Sequence, residues 1–119
     1  MPEHADYLSR LSAHTHDLFV VADLDGRLKF INPAWQQTLG FSLAELYAEP
    51  LYNFVHPDDV DRTHTERELL AGGGDTLLFE NRYRCKDGSY RRLQWNGRGD
   101  MEGRLVYGFD RLPARRAWP

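Results

Sequence analysis

The chain predicts an α+β fold: an antiparallel sheet with helices inserted between its second and third strands. Three observations carry this. Asp17 to Tyr47 reads as strand, tight turn, strand and two short helices. Asp58 to Ala71 reads as one longer helix, stopped by Gly72-Gly73-Gly74. Thr76 to Asp110 reads as three strands joined by short polar turns, and so tight a linkage makes neighbouring strands antiparallel.

A length of 119 residues fits one domain with a core of its own. Hydrophobic residues make up 41% and charged residues 28%, the balance of a soluble globular chain. The net charge of −3 argues against a nucleic-acid or anionic-membrane surface. Cys85 is the sole cysteine, which excludes an internal disulfide framework and suits a reducing compartment. No apolar run has spanning length and no signal peptide is present, so a cytoplasmic location is expected. The end at Arg115-Arg116-Ala117-Trp118-Pro119 carries no helix stop, as a piece cut from a longer receptor would show.

Residues 3–14 place Ala5, Leu8 and Leu11 at near-helical spacing beside Tyr7. This helix either lies on the domain or forms a dimer. His14, His16 and Asp17 read as linker, because no further ligands complete a metal spacing. Phe19-Val20-Val21 and Leu28-Phe30-Ile31 are the aromatic and β-branched runs of half-buried strands. Between them Asp25-Gly26 predicts a primed hairpin turn, since Gly supplies positive φ without steric cost. Asn32 is placed to cap a helix that has Pro33 at its first position. That helix, Ala34 to Leu39, ends at Gly40 as a left-handed cap. Ser42-Leu43-Ala44-Glu45 is a capping box and opens the next helix.

After Glu49 to Val55 comes His56-Pro57-Asp58-Asp59. Asp58 can cap the long helix, and Asp59 and Asp61 set negative charge at its positive end. The same acids with His56 and His64 have metal-ligating chemistry, but the acids and His64 do not share one helical face. The inward stripe of this helix is poor in apolar residues: Val60, Thr63 and Leu70, with Arg67 among them. Thr76 to Cys85 alternates, with Phe79, Asn81, Tyr83 and Cys85 on one face. Lys86-Asp87-Gly88-Ser89 turns into Tyr90 to Gly97, where Arg91, Leu93 and Trp95 share a face. Asp100-Met101-Glu102-Gly103 turns into Arg104 to Asp110, where Leu105, Tyr107 and Phe109 do.

No catalytic constellation emerges. The glycine triplet lacks the Lys-Ser/Thr of a phosphate loop, no Gly-x-Ser-x-Gly is present, and Cys85 reads as a small core residue. The chain is therefore expected not to be an enzyme.

Two stretches resemble one family. The order strand, Asp-x-Asp-Gly, strand, Asn-Pro-Ala-aromatic, Leu-Gly-Phe-Ser-x-x-Glu-Leu is similar to the N-terminal half of a PAS domain. Glu80-x-Arg82-Tyr83-Arg84-x-Lys86-Asp87-Gly88-Ser89 resembles the C-terminal, or PAC, motif of the same family. Together they cover roughly residues 17 to 110. The resemblance implies a single PAS-like domain with a five-stranded antiparallel sheet in the order 2-1-5-4-3 and an N-terminal flanking helix. The expected division is 1–16 flanking helix and linker, 17–112 PAS domain, and 113–119 tail. Two departures stand out. Arg91-Arg92 replaces an aromatic, and Pro113 interrupts the usual strand-to-helix exit.

The resemblance further implies a sensory or regulatory module of a signal-transduction protein, of histidine kinase or cyclic-dinucleotide enzyme type. It would bind a small ligand between sheet and helices, dimerise, or do both. The expected site residues are Phe19, Phe30, Asn32, Trp35, Phe54, Thr63, His64, Asn81, Tyr83, Trp95 and Tyr107. The cofactor is left open. Flavin photochemistry would need an Asn-Cys-Arg-Phe-type helical stretch that is absent, whereas haem could use His64 on the long helix. Asn81 and Thr63 are polar at inward positions and call for a partner, which a ligand or water would supply. Homodimerisation would use Tyr7, Leu8 and Leu11 and the sheet face, with a downstream signalling domain in the full-length chain. The alternative is a pure interaction domain whose cavity is filled by side chains.

Overall fold

A computed structural model describes residues 9–100 and 105–110, without the side chains of Thr76, Leu77, Val106, Tyr107 and Phe109. Strands β1 (Leu18–Asp23) and β2 (Leu28–Ile31) are followed by helices α1 (Ala34–Leu39) and α2 (Leu43–Tyr47). Two 3-10 turns, Leu51–Phe54 and Pro57–Asp59, lead into α3 (Val60–Ala71). Strands β3 (Asp75–Arg84), β4 (Tyr90–Asp100) and β5 (Leu105–Asp110) complete the sheet. All pairings are antiparallel, in the order β2-β1-β5-β4-β3, as the resemblance implies. Residues 9–13 are helical, while Tyr7 and Leu8 of the expected dimer helix lie outside the described residues.

The capping chemistry explains where α1 and α2 begin and end. Gly40 adopts φ +90° and its N–H donates to the Gln36 carbonyl. Both halves of the Ser42–Glu45 capping box form, at 3.1 and 2.8 Å. The first hairpin differs from expectation. Its loop runs over four residues, Gly26 N–H donates to Asp23 O, and Leu24 and Asp25 keep negative φ. Only Gly26 is left-handed, at +86°, so this is a turn closed by a glycine bulge rather than a primed two-residue turn. Asp23 Oδ1 accepts from both Asp25 N–H and Arg27 N–H and rigidifies the longer loop.

Asn32 does not cap α1. It is fully buried and staples three segments: Oδ1 accepts from Phe19 N–H, and Nδ2 donates to Ser12 O and Asp17 O, each at 2.9 Å. Nor does Asp58 cap α3. The His56 ring accepts from Asp58 N–H, and the N-cap position falls to the buried Asp59, whose carboxylate accepts from Arg82 and not from the helix amides.

The parity of β1 is the opposite of that expected. Leu18, Val20 and Ala22 face the core, while Phe19 and Val21 are half-buried on the other side of the sheet. Phe30 pairs with Val21 and shares that outer face. The core joins Trp35, Leu39, Leu46 and Phe54 from the helical layer to Leu93, Trp95 and Tyr83 from the sheet. Trp35 stacks on Trp95 at 5.6 Å and meets Tyr83 edge-on at 6.0 Å, a geometry favoured by ring quadrupoles.

Candidate functional site

A cavity of about 110 Å³ lies between the sheet and α3. Its floor is Val20, Gly97 and Gly108, with the two glycines directly paired across β4 and β5. Its roof is Thr63, Arg67 and Leu70 of α3, one residue per helical turn. Phe79, Asn81, Tyr83 and Trp95 form the inner wall, and Leu51 and Tyr52 of the first 3-10 turn close the outer one. Asp23 and Glu66 stand at its rim. A larger hollow, about 710 Å³, opens along β3, lined mostly by charged side chains such as Arg62, Glu80 and Arg92, and is a solvated trough.

The polar groups of the inner wall satisfy one another. Asn81 Nδ2 donates to Thr63 Oγ1 at 3.1 Å, and Asn81 Oδ1 accepts from Trp95 Nε1 at 3.0 Å. Thr63 Oγ1 in turn donates to Asp59 O at 2.8 Å. Thr63 and Asn81 therefore need no ligand for their own hydrogen bonding, contrary to the expectation that they would. Burial pushes the Tyr83 hydroxyl well above the usual phenol range, against a smaller opposing hydrogen bond from Asn81, so it stays neutral. Burial likewise pushes Tyr52 up to about 12, partly offset by the Arg67 charge.

Tyr52 forms part of one side of the hollow. Its ring lies against Gly26, where any Cβ would meet ring carbons. It also stacks on His64 at 4.1 Å, and the Arg67 guanidinium sits 5.5 Å from its centroid. Among the described residues, Arg67 Nε is buried and has no hydrogen-bond partner.

Of the expected site residues, Thr63, Asn81, Tyr83 and Trp95 line the cavity. Phe19 and Phe30 do not, because they occupy the outer sheet face. Trp35 and Phe54 are packed solid in the core, and Asn32 is consumed by its three hydrogen bonds. His64 stacks on Tyr52 and is absent from the lining, which leaves haem without its proposed axial ligand. A space of about 110 Å³ is also far below the ~300–1,000 Å³ of drug-sized ligand sites, smaller still than a porphyrin or isoalloxazine needs. The Tyr107 side chain lies outside the described residues. Leu11 is exposed, as a partner-facing residue would be, and an exposed residue alone names no partner. Among the described residues no cluster has metal-holding geometry, and no helix is long and apolar enough to cross a membrane.

Sequence reasoning missed Val20, Tyr52, Gly97 and Gly108. The signal for the glycines was present: Gly inside a strand marks a close approach or a spare volume. Tyr52 carries no such signal, since only the Gly26 contact places it.

The profile of the PAS fold family matches residues 28–107. The White collar 2 protein of Neurospora crassa is 34% identical over 71 residues, 59% of this chain but 13% of that protein. The chain thus spans a small part of the curated relative it matches. Among solved structures, a domain of a sensory box sensor histidine kinase/response regulator from Geobacter sulfurreducens superposes with TM-score 0.75 at 17% identity, covering 91% of this chain and 93% of that one. The PAS domain of an HTR-like protein from Haloarcula marismortui gives 0.75 at 21% identity, over 93% and 98%.

Proposed function

The chain belongs to the PAS fold family, and from that premise we propose that it is a non-catalytic sensory or regulatory module of a signalling protein. Its input is a small molecule taken into the cavity under α3. The observation that carries this reading is the hollow itself: a half-open, mostly apolar space floored by paired glycines, where larger side chains would have completed the core. The similarity to a domain of a sensor histidine kinase supports the signalling context. The output belongs to the rest of a longer chain.

Homodimerisation is the second part of the proposal. Phe19, Val21 and Phe30 are only partly buried on the outer sheet face, and Leu11 is exposed on the helical segment before it. A competing reading, a pure interaction domain with a closed interior, is favoured by the mutual satisfaction of Asn81, Thr63 and Trp95.

Native mass spectrometry and analysis of the denatured protein decide between them. A small organic molecule that leaves the protein on denaturation supports the sensory reading. A ligand-free protein whose cavity residues show no shift with any member of a fragment library supports the interaction reading. Sedimentation equilibrium of the wild type and Phe19→Glu tests the dimer: a monomeric wild type refutes that part.

A further inference from the structure

We infer that the hollow under α3 recognises its ligand through carbon alone. It takes the hydrocarbon end of an amphiphile, leaves the polar end at the mouth in water, and owes its depth to Gly108. This rests on the proposed ligand-binding role of the hollow and adds the chemical class of what enters it.

Polarity comes first. The polar side chains of the inner wall are engaged with one another. Thr63 Oγ1 donates to Asp59 O and accepts from Asn81 Nδ2, Asn81 Oδ1 accepts from Trp95 Nε1, and the Tyr83 hydroxyl is bonded to Asn81. Arg67 Nε is too deeply buried to be met from the hollow. What remains to touch is carbon: Val20, Ala22, Leu51, Leu70, Phe79 and the Trp95 ring. A ligand hydroxyl or amide pushed among these would lose its water and gain no partner, whereas a methylene gains by leaving water. Because the hollow is half-open, its volume does not limit the whole ligand, and a polar group can stay outside while the chain behind it is buried.

Depth comes from one missing methyl. Gly108 is not among the positive-φ glycines, so its backbone suits any residue. A Cβ there would meet Val20 Cγ1 at 3.5 Å, Asn96 O at 3.6 Å and Trp95 Cε3 at 3.7 Å. All three are ordinary contacts, and all three residues line the hollow. At Gly99, by contrast, a Cβ would run into the Leu70 carbonyl. The seating of α3 fixes glycine at 99. Neither packing nor φ fixes it at 108, where its absence of a side chain leaves apolar floor open that alanine would cover.

1-Hexanol and 1,6-hexanediol share one carbon chain and differ by a hydroxyl at the end that must be buried. We would titrate both, with 1-butanol and 1-pentanol, into the whole ¹⁵N-labelled chain and follow the amides of Val20, Gly97 and Gly108. The alcohols should shift these amides, each added methylene should tighten binding about fourfold, and the diol should bind on the order of tenfold more weakly than 1-hexanol. Gly108→Ala should keep or raise the melting temperature and weaken 1-hexanol about fourfold, the worth of one buried methylene. Equal or tighter binding of the diol overturns the carbon-only class and leaves the ligand-binding reading standing. A Gly108→Ala protein that is destabilised, or that binds 1-hexanol as the wild type does, overturns the role given to Gly108. If no alcohol shifts any of these amides in the wild type, the ligand-binding reading falls, and this inference with it. The comparison of alcohol with diol uses the wild type alone, so the ligand class is decided whatever the variant does.

Discussion

Removing the Asp59 carboxylate tests how α3 is fastened to the sheet. Asp59 is 3% exposed. Its Oδ2 accepts from Arg82 N–H at 2.8 Å and Arg82 Nε at 2.9 Å, and its Oδ1 accepts from Arg82 Nη2 at 2.8 Å. In Asp59→Ala the Arg82 side chain, already 36% exposed, turns to water, so no charge is stranded in the interior. The Arg82 N–H keeps no partner, and an orphaned buried donor costs ~1–3 kcal/mol. Loss of the half-exposed ion pair adds ~1 kcal/mol at most. The expected destabilisation is about 2–4 kcal/mol, a fall in Tm on the order of 10 °C. Asp59→Asn keeps one acceptor and should lose roughly half as much. The hydrogen bonds from Arg82 hold the Asp59 carboxyl far below the usual carboxylate range. A depressed folded-state pKa adds stability that is complete above the unfolded value, about 4, and disappears as pH falls through the folded one. The gap between wild type and Asp59→Asn in urea unfolding should therefore be widest near neutral pH and shrink below about pH 4. A gap below about 0.5 kcal/mol at pH 7 for Asp59→Ala, well under the cost of one orphaned donor, would refute the reasoning. So would an Asp59→Asn gap that stays constant down to about pH 2.5, because the linkage requires it to narrow.

Other perturbations follow from close approaches and orphaned donors. A Cβ at Gly99 would run into the backbone carbonyl of Leu70, so Gly99→Ala must lift the end of α3 and should cost ~2–3 kcal/mol by thermal melt. An alanine with wild-type stability would mean that α3 is not seated there. Gly26→Ala carries two penalties, ~1–2 kcal/mol for the left-handed backbone and a further one for displacing the Tyr52 ring. In a Tyr52→Ala background only the first should remain, and equal losses in the two backgrounds would break the link between turn and ring. Asn81→Leu should destabilise by ~1–3 kcal/mol, because it strands the buried Trp95 Nε1–H, and the Trp95 indole proton should shift in the NMR spectrum. A stabilised variant would show that this hydrogen bond is absent in solution.

What could be read from the residues alone is local or alternating. Gly40 and the Ser42–Glu45 box act within one turn of chain, so their chemistry is legible without any neighbour. Past the bulge between Thr76 and Phe79, β3 and β4 alternate, and Asn81, Tyr83, Leu93 and Trp95 fall inward as their period requires, while Arg91 at the strand end is exposed. β1 was illegible for the opposite reason. Leu18-Phe19-Val20-Val21-Ala22 is apolar on both faces, so period two leaves its phase undetermined, and the larger Phe19 points the wrong way. The phase is settled by distant contacts, Phe19 N–H to Asn32 and Phe19 O to the Trp35 indole. Asn32 misled in turn, since a cap residue and a three-way staple have the same side chain. Phe19, Phe30 and Asn32 left the expected site for these two reasons. The cavity itself depends on Tyr52, whose position only the folded turn defines.

The hollow and the weak apolar stripe of α3 have one cause. No residue of α3 is fully buried and only Val60 packs against the core cluster, so hydrophobic burial presses this helix onto the sheet weakly. Polar contacts hold it instead. At its start Asp59 grips Arg82, in its first turn Thr63 meets Asn81, and at its end the Leu70 carbonyl rests over Gly99. Hydrogen bonds fix distance at points, whereas an apolar seam fills the space between them. Leucines at positions 63 and 67 would supply such a seam and would occupy the volume now bounded by Thr63, Arg67 and the paired glycines. A polar attachment on one side and absent side chains on the other therefore leave the same gap. The two features meet at this one place, between the sheet and the long helix.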